Sequence, residues 1–452
     1  MTKRFVILGG GPAGNTAASV AAAHGAEVVL VEREIVGGAA HLRDCVPSKA
    51  MIATGNALRD LDRAAARGLR ATGSIDDAAL RARVADMQAQ LTDDVTRLLD
   101  SQGVRTIRGS GRLVGPFRVA VDTAAGTEEL DADAVLLATG SRARLPEWAP
   151  VDGERVLSTR DAYPPPEIPE HLVVVGSGVT GVEFTHMFAA LGSRVTLVVS
   201  RQQVLPTKDA EVAAALEEEF ARRGVELLKG ARAAAITRTG DRVTVECEDG
   251  RTVVGSHALL CVGSVPNSDG LGCDAAGVEV SPSGHVPGNR HCQTNVPHIY
   301  SAGDLSGRLP LSSVATAQGR GVAEHVMGLT TVEHRHLEYD KAAQAVFTDP
   351  EIAEVGVAEA EAFAAGAKLR VTKVPFSANA RALINGDSRG FAKLLSDPAT
   401  GVVLGGVVVG RNASELISVV AVAVANRLRA VDLVDTLLVH PALTEAIAET
   451  AS

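Results

Sequence analysis

At 452 residues the chain is too long for one ordinary hydrophobic core, and about three domains are expected. A composition 46% hydrophobic and 22% charged is that of a soluble globular protein, and a net charge of −10 excludes a nucleic-acid surface, which needs clustered Lys and Arg. The longest apolar stretches, such as 407–409 and 417–425, are too short to span a bilayer, so no membrane insertion is expected.

The start, Met1-Thr-Lys-Arg, leads directly into an apolar run with no signal segment, which predicts a cytoplasmic protein. Residues 5–8 read as a buried strand. Gly9-Gly-Gly-Pro-Ala-Gly14 follows, then an Ala-rich helix over 15–24 and a strand over 27–32 that ends in an acid. Helical periodicity covers 77–102, a strand at 135–137 enters Ala138-Thr139-Gly140, and the Pro-rich stretch 164–169 reads as a linker. A second strand–turn–helix–strand unit then runs from 172 through Gly176-Ser-Gly-Val-Thr-Gly181, a helix to about 190, and a strand over 194–199. From residue 334 the pattern changes: strands at 345–348, 390–395 and 402–409 precede helices at 414–428 and 430–438. The expected fold class is α/β, with two Rossmann-like dinucleotide-binding domains and a C-terminal α+β module.

A lone GxGxxG is a weak signal, but each copy here follows a strand and opens a helix, which is what the chemistry requires. The first glycine permits the tight turn, the second lets backbone N–H groups approach a pyrophosphate, and the third lets helix and strand pack closely. The positive helix N-terminus favours phosphate. Glu32 closes the first unit where a carboxylate can bind a ribose diol. The equivalent place in the second unit is Val199-Ser200-Arg201, with no acid to repel a 2′-phosphate and an Arg to pair with it, so NADPH is favoured over NADH. Arg201 as a solvated loop cation is the competing reading. The five cysteines, Cys45, Cys247, Cys261, Cys273 and Cys292, show neither zinc spacing nor a CxxC pair, and no metal is expected.

Further motifs occur in a fixed order: Leu136-Leu-Ala-Thr-Gly-Ser141, Cys261-Val-Gly-Ser-Val-Pro-Asn267, Tyr300-Ser-Ala-Gly-Asp304 and His440-Pro-Ala-Leu-Thr-Glu445. Together with the two Gly-rich turns, they make the whole chain resemble the pyridine-nucleotide flavoprotein disulfide reductases, the family of dihydrolipoamide dehydrogenase, glutathione reductase and mercuric reductase. The resemblance implies an FAD domain in two parts, residues 1–150 and 269–333. It implies an NAD(P) domain over 151–268 and a dimerisation domain over 334–452. FAD contacts are implied for Gly9, Gly11, Pro12, Ala13 and Gly14, for Glu32, Lys49 and Gly111, for Ala138, Thr139 and Gly140, and for Asp304, Leu311 and Ser312. Nicotinamide nucleotide contacts are implied for Gly176, Gly178, Val179 and Gly181, for Val199, Ser200 and Arg201, and for Gly263.

In the segment Gly37-Gly-Ala-Ala-His-Leu-Arg-Asp-Cys-Val-Pro-Ser-Lys49 the family has two cysteines five positions apart. Here the second is Cys45, and the first position is Ala40, which cannot form a mixed disulfide. That combination resembles the mycobacterial NAD(P)H quinone reductase branch, which lacks the cysteine pair. By resemblance Lys49 sits near the flavin and pairs with Glu183. His440, oriented by Glu445, handles a proton and is supplied by the partner subunit of a homodimer. The implied activity is transfer of a hydride from NAD(P)H through FAD to a small-molecule, quinone-like acceptor. The alternative is a single-cysteine disulfide or peroxide reductase in which Cys45 carries the chemistry, a reading favoured by the intact His440 and Glu445. His41, Arg43 and Asp44 either line an acceptor pocket or form a surface loop.

Overall fold

The structure, a computed structural model, describes residues 2–165, 167–329 and 337–452, with only the backbone of residues 40–42. The expected module start at residue 334 therefore lies outside the described residues, as do one proline of the 164–169 stretch and the side chains of Ala40 and His41. The chain divides into two compact units. One comprises Met1–Ser48, Ala78–Arg144 and Gly263–Tyr339, and the other Lys49–Asp77, Leu145–Val262 and Asp340–Ser452.

In the first unit a parallel sheet runs in the order Ile299–Ser301, Ala134–Leu137, Arg4–Leu8, Glu27–Glu32, Arg105–Arg108. Its three central strands are apolar over most of their length because both faces are covered, whereas the edge strand Arg105–Arg108 buries only Ile107. Phe5, Ile7, Leu30 and Leu136 pack against Ala17, Ala18 and Ala21 of helix Pro12–Ala23. Val6, Leu8, Val29 and Val31 face Val119 and Val121 of an antiparallel three-stranded sheet. Helix Ser312–Val326 lies against helix Pro12–Ala23 so closely that a Cβ on Gly319 would stand 2.1 Å from the carbonyl oxygen of Ala13. The first helix begins at Pro12 rather than residue 15, since the fixed φ of proline suits the first helical position, where its missing N–H is not needed.

The second unit repeats the design with strands Glu226–Lys229, Arg194–Val199, His171–Val175, His257–Leu260 and Val156–Ser158, all parallel. The edge strand Val156–Ser158 precedes the proline-rich stretch, so that stretch is a connection inside this sheet and not the entry to it. The same unit holds an antiparallel sheet, Gln344–Val346, Glu351–Gly356, Val403–Gly410, Phe391–Ser396 and Arg370–Pro375. Leu416, Ile417 and Val420 of helix Ala413–Asn426 pack on it against Ala353, Leu394 and Val408. The last predicted helix stops at Val434, not residue 438, because the chain beyond it leaves the core and Leu437 is 99% exposed. Among the described residues no helix is long and apolar enough to cross a membrane.

Candidate functional site

The two glycine turns have the same build. Gly9 has φ +108°, and a Cβ there would lie 2.3 Å from the Ala138 carbonyl oxygen. A Cβ on Gly14 would lie 1.9 Å from the carbonyl oxygen of Gly9. In the second unit Gly176 (φ +109°) and Gly181 are closed in the same way, 2.3 Å from the Cys261 oxygen and 1.8 Å from the Gly176 oxygen. The middle glycines differ. A Cβ on Gly11 would be 3.9 Å from its nearest neighbour, the Cα of Gly38, and one on Gly178 would meet nothing within 4 Å. Each is the N-cap of its helix, Pro12–Ala23 or Val179–Ala190, and neither helix has a side chain bonded to its first N–H groups. Uncapped donors beside open space suit a phosphate.

Around the first turn the backbone orients the polar groups. Glu32 accepts hydrogen bonds from the N–H of Gly10 at 2.7 Å and of Glu34 at 2.6 Å, which fixes its carboxylate at the strand end. The Asp304 carboxylate accepts from the Ser141 hydroxyl at 2.6 Å. Thr139 donates to the Asn267 carbonyl at 2.8 Å, the Asn267 amide donates to the Thr139 carbonyl at 2.9 Å, and the Gly140 carbonyl accepts from the Asn267 N–H. Leu311 is the N-cap of helix Ser312–Val326, which also lacks a side-chain cap. At Gly111 a Cβ would meet the Leu8 side chain at 2.4 Å, so the strand there passes close to the sheet. Gln318 was not anticipated. Buried in that helix, it accepts from the N–H of Gly303 at 2.7 Å and so holds the residue before Asp304. A lone helical Gln carries no motif signal.

In the second unit Val199 is buried, while Ser200 and Arg201 are exposed. The carbonyls of Val199 and Arg201 accept from Ala231 and Gly230 at 3.0 Å, which pins the segment. Arg201 has no ion-pair partner among the described residues. Gly263 (φ +94°) accepts from the N–H of Arg144.

Lys49 and Glu183 do meet. The ammonium donates to one Glu183 oxygen at 2.7 Å, and the other oxygen accepts from the Phe347 N–H at 2.9 Å. The Lys49 ammonium also stands 4.8 Å from the centre of the Phe347 ring. Phe347 was missed because its contribution is a main-chain donor, which no side-chain pattern announces. Cys45 is half-buried and closes a π-helical turn, Ala40–Cys45, that runs directly into helix Val46–Asp62 carrying Lys49. π-turns concentrate at functional sites. Arg43 pairs with Glu34. Among the described residues no two cysteines stand at disulfide distance. Burial pushes the thiols of Cys247, Cys261 and Cys273 up, and that of Cys292 to about 11, so these four are inert near neutrality.

His440 and Glu445 form the expected pair, Nδ1 to carboxylate at 2.7 Å. Hydrogen bonds from the Ala442 N–H and then His440 hold the Glu445 carboxyl below its usual range. The pair is exposed, and among the described residues no hydrogen bond or ion pair joins it to Lys49 or Glu183. A cluster of Asp209, Glu211 and Glu359 has the spacing of a cation site. The buried Lys393 ammonium fills it, at 2.7, 2.5 and 2.8 Å from the three carboxylates.

The fit to a dinucleotide is thus structural as well as sequential: uncapped helix ends, a middle glycine facing open space, and carboxylates oriented for ribose or ribityl hydroxyls. Comparison with known proteins agrees. Residues 3–319 match the pyridine nucleotide-disulphide oxidoreductase family and residues 342–451 its dimerisation domain. A Mycobacterium tuberculosis NAD(P)H dehydrogenase (quinone) is 44% identical, over 100% of this chain and 94% of the relative. The crystal structure of LpdA from the same organism superposes with a TM-score of 0.95 at 44% identity, covering 100% of this chain and 99% of that one. A Bacillus subtilis dihydrolipoyl dehydrogenase is 32% identical, over 98% of this chain and 97% of its own length. The chain belongs to the pyridine nucleotide-disulphide oxidoreductase family, flavin-dependent oxidoreductases of pyridine nucleotides, and carries that family's dimerisation domain.

Proposed function

We propose that the protein is an NAD(P)H-dependent flavoprotein reductase of quinone-class acceptors that works without a redox disulfide. The observation that carries this reading is Ala40: where the family has the first cysteine of its pair, this chain has no sulfur, and no other cysteine stands at disulfide distance. The similarity to an NAD(P)H dehydrogenase (quinone) supports it.

FAD, when bound, supplies the two-electron relay between nucleotide and acceptor. Residues 1–150 and 269–333 would hold it, with the N–H groups behind Gly11 on the pyrophosphate, Glu32 on the ribose and Asp304 on the ribityl chain. Residues 151–268 would hold the nicotinamide nucleotide around Gly178, and Arg201 would select NADPH over NADH by pairing with the 2′-phosphate. Lys49, oriented by Glu183, would place a positive charge at the flavin. Cys45 would line the same site without carrying electrons. The Glu445 carboxylate accepts the Nδ1–H of His440, so that the imidazolium form would carry its second proton on Nε2 and give it to the quinone oxygen as charge develops there, returning to neutral imidazole.

The reading includes a homodimer built by residues 334–452, whose partner copy brings His440 to the site. Leu437 and Val439, which flank it, are 99% and 74% exposed, an arrangement suited to burial against a second copy. Five cysteines with no disulfide suit the reducing cytoplasm.

A second reading, in which Cys45 reduces disulfides or peroxides, draws on the intact His440–Glu445 pair. Anaerobic titration with NADPH separates the two. Uptake of two electrons per FAD, with turnover of small quinones and none of lipoamide, is expected; uptake of four, or lipoamide turnover, contradicts the proposal.

A further inference from the structure

Glu183 is held from two sides, by Lys49 and by the Phe347 N–H, so whatever fixes Phe347 also fixes the ion pair. Two residues beyond Phe347, Asp349 gathers three guanidiniums. Arg63 donates to its carboxylate at 2.5 Å, Arg389 at 2.6 Å and Arg223 at 2.8 Å, and Arg223 also reaches the Asp349 carbonyl at 2.5 Å. Arg223 donates in turn to Nδ1 of the buried His186 at 2.8 Å. Because a guanidinium can only donate, His186 carries its proton on Nε2, which donates to Asn56 at 2.9 Å.

Asn56 lies seven residues after Lys49 on helix Val46–Asp62, and His186 lies three after Glu183 on helix Val179–Ala190. The same two helices are therefore tied at two levels, once by Lys49–Glu183 and once by Asn56–His186. Beside the second tie Gly55 allows close approach, since a Cβ there would stand 2.9 Å from that of Ala190. The segment from Phe347 to Asp349 joins the two ties into a closed ring. Its buried charges are costly to desolvate, and networks of this kind are seldom net stabilisers; their best attested use is to fix register.

We propose that Asp349 is a positioning residue for the Lys49–Glu183 pair, acting through the Phe347 N–H on one side and through Arg223, His186 and Asn56 on the other. This inference rests on the placement of Lys49 at the flavin proposed above. Removing the Asp349 charge leaves Arg59, Arg63, Arg223 and Arg389 facing only Glu219 and Asp387, and frees the segment that carries the Phe347 donor.

A double-mutant cycle of Asp349→Asn and Glu183→Gln in the holoenzyme tests it, read as the flavin midpoint potential and the rate of flavin reduction at saturating NADPH. Each single change should move the potential in the same direction and slow reduction about tenfold, and the double variant should be no worse than Glu183→Gln alone. Effects that multiply, or an Asp349→Asn protein with wild-type potential and rate, overturn the inference. If Glu183→Gln itself leaves both readouts unchanged, the placement of Lys49 at the flavin falls, and the inference with it. Should Asp349→Asn fail to fold, Arg63→Gln, which removes one partly exposed member of the cluster, carries the same cycle.

Discussion

Gly11 and Gly14 lie three residues apart in one turn, yet the structure gives them separate tasks. Gly14 has no room for a Cβ, which would sit 1.9 Å from a backbone oxygen, so Gly14→Ala must move helix against strand. It should lower stability by about 2–3 kcal/mol in urea denaturation. Gly11 has that room, and Gly11→Val should leave the apoprotein folded by circular dichroism while the purified protein loses its FAD. A yellow Gly11→Val protein with stoichiometric FAD would contradict the cofactor assignment. The glycine spacing was legible in the sequence because the turn imposes it; the separation of fold from binding was not, since both glycines look alike until the neighbouring backbone is placed. At the second turn, Arg201→Ser should raise the KM for NADPH about tenfold and leave that for NADH unchanged, because only the 2′-phosphate reaches the guanidinium. Equal losses for both nucleotides would make Arg201 an ordinary surface cation.

Among the elements, the strands Arg4–Leu8, Glu27–Glu32, Ala134–Leu137, His171–Val175 and Arg194–Val199 were legible from their apolar runs, which burial on both faces demands, whereas Arg105–Arg108, Val156–Ser158, Glu226–Lys229 and His257–Leu260 were not. The antiparallel pieces Glu351–Gly356 and Arg370–Pro375 were not, since the first is interrupted by Glu354 and the second by Lys373, and only pairing with the inner strands gives them a face to bury. Glu183 was identified through the family resemblance, whereas His186, one turn further on the same helix, was not, because its role depends on Arg223 and Asn56 from other elements. Burial, with Arg223 next, depresses the His186 imidazole to about 3. The unfolded chain takes up this proton below about 6.5 and the folded chain only near 3, so stability falls as the pH drops from 6.5 toward 3. At pH 5 the loss from this residue should be about 2 kcal/mol. Asp349 and Asp387, held below the usual carboxylate range by their arginines against the opposing effect of burial, lose their contribution only at lower pH. His186→Gln should therefore flatten the stability profile between pH 7 and 5, measured by urea midpoints; a slope equal to wild type would show that His186 is not buried neutral.

For the whole molecule, the account requires a second copy, because His440 is exposed and flanked by apolar side chains that meet solvent in the single chain. Leu437→Asp combined with Val439→Asp should yield a monomer by sedimentation velocity and abolish quinone turnover, with FAD retained. A fully active monomer would remove His440 from the chemistry. The two strand–turn–helix–strand units were legible because each Gly-rich turn marks its own parallel sheet, and the C-terminal module agrees with the match of residues 342–451 to the family's dimerisation domain, while the missing first cysteine was legible as the alanine at position 40. The central claim, that electrons reach a quinone without passing through sulfur, is tested most directly by stopped-flow reoxidation of NADPH-reduced Cys45→Ser protein with a small quinone. The account predicts a rate within about threefold of wild type and no reoxidation of either protein by lipoamide. Near-complete loss of quinone-driven reoxidation in Cys45→Ser, with FAD content unchanged, would contradict it.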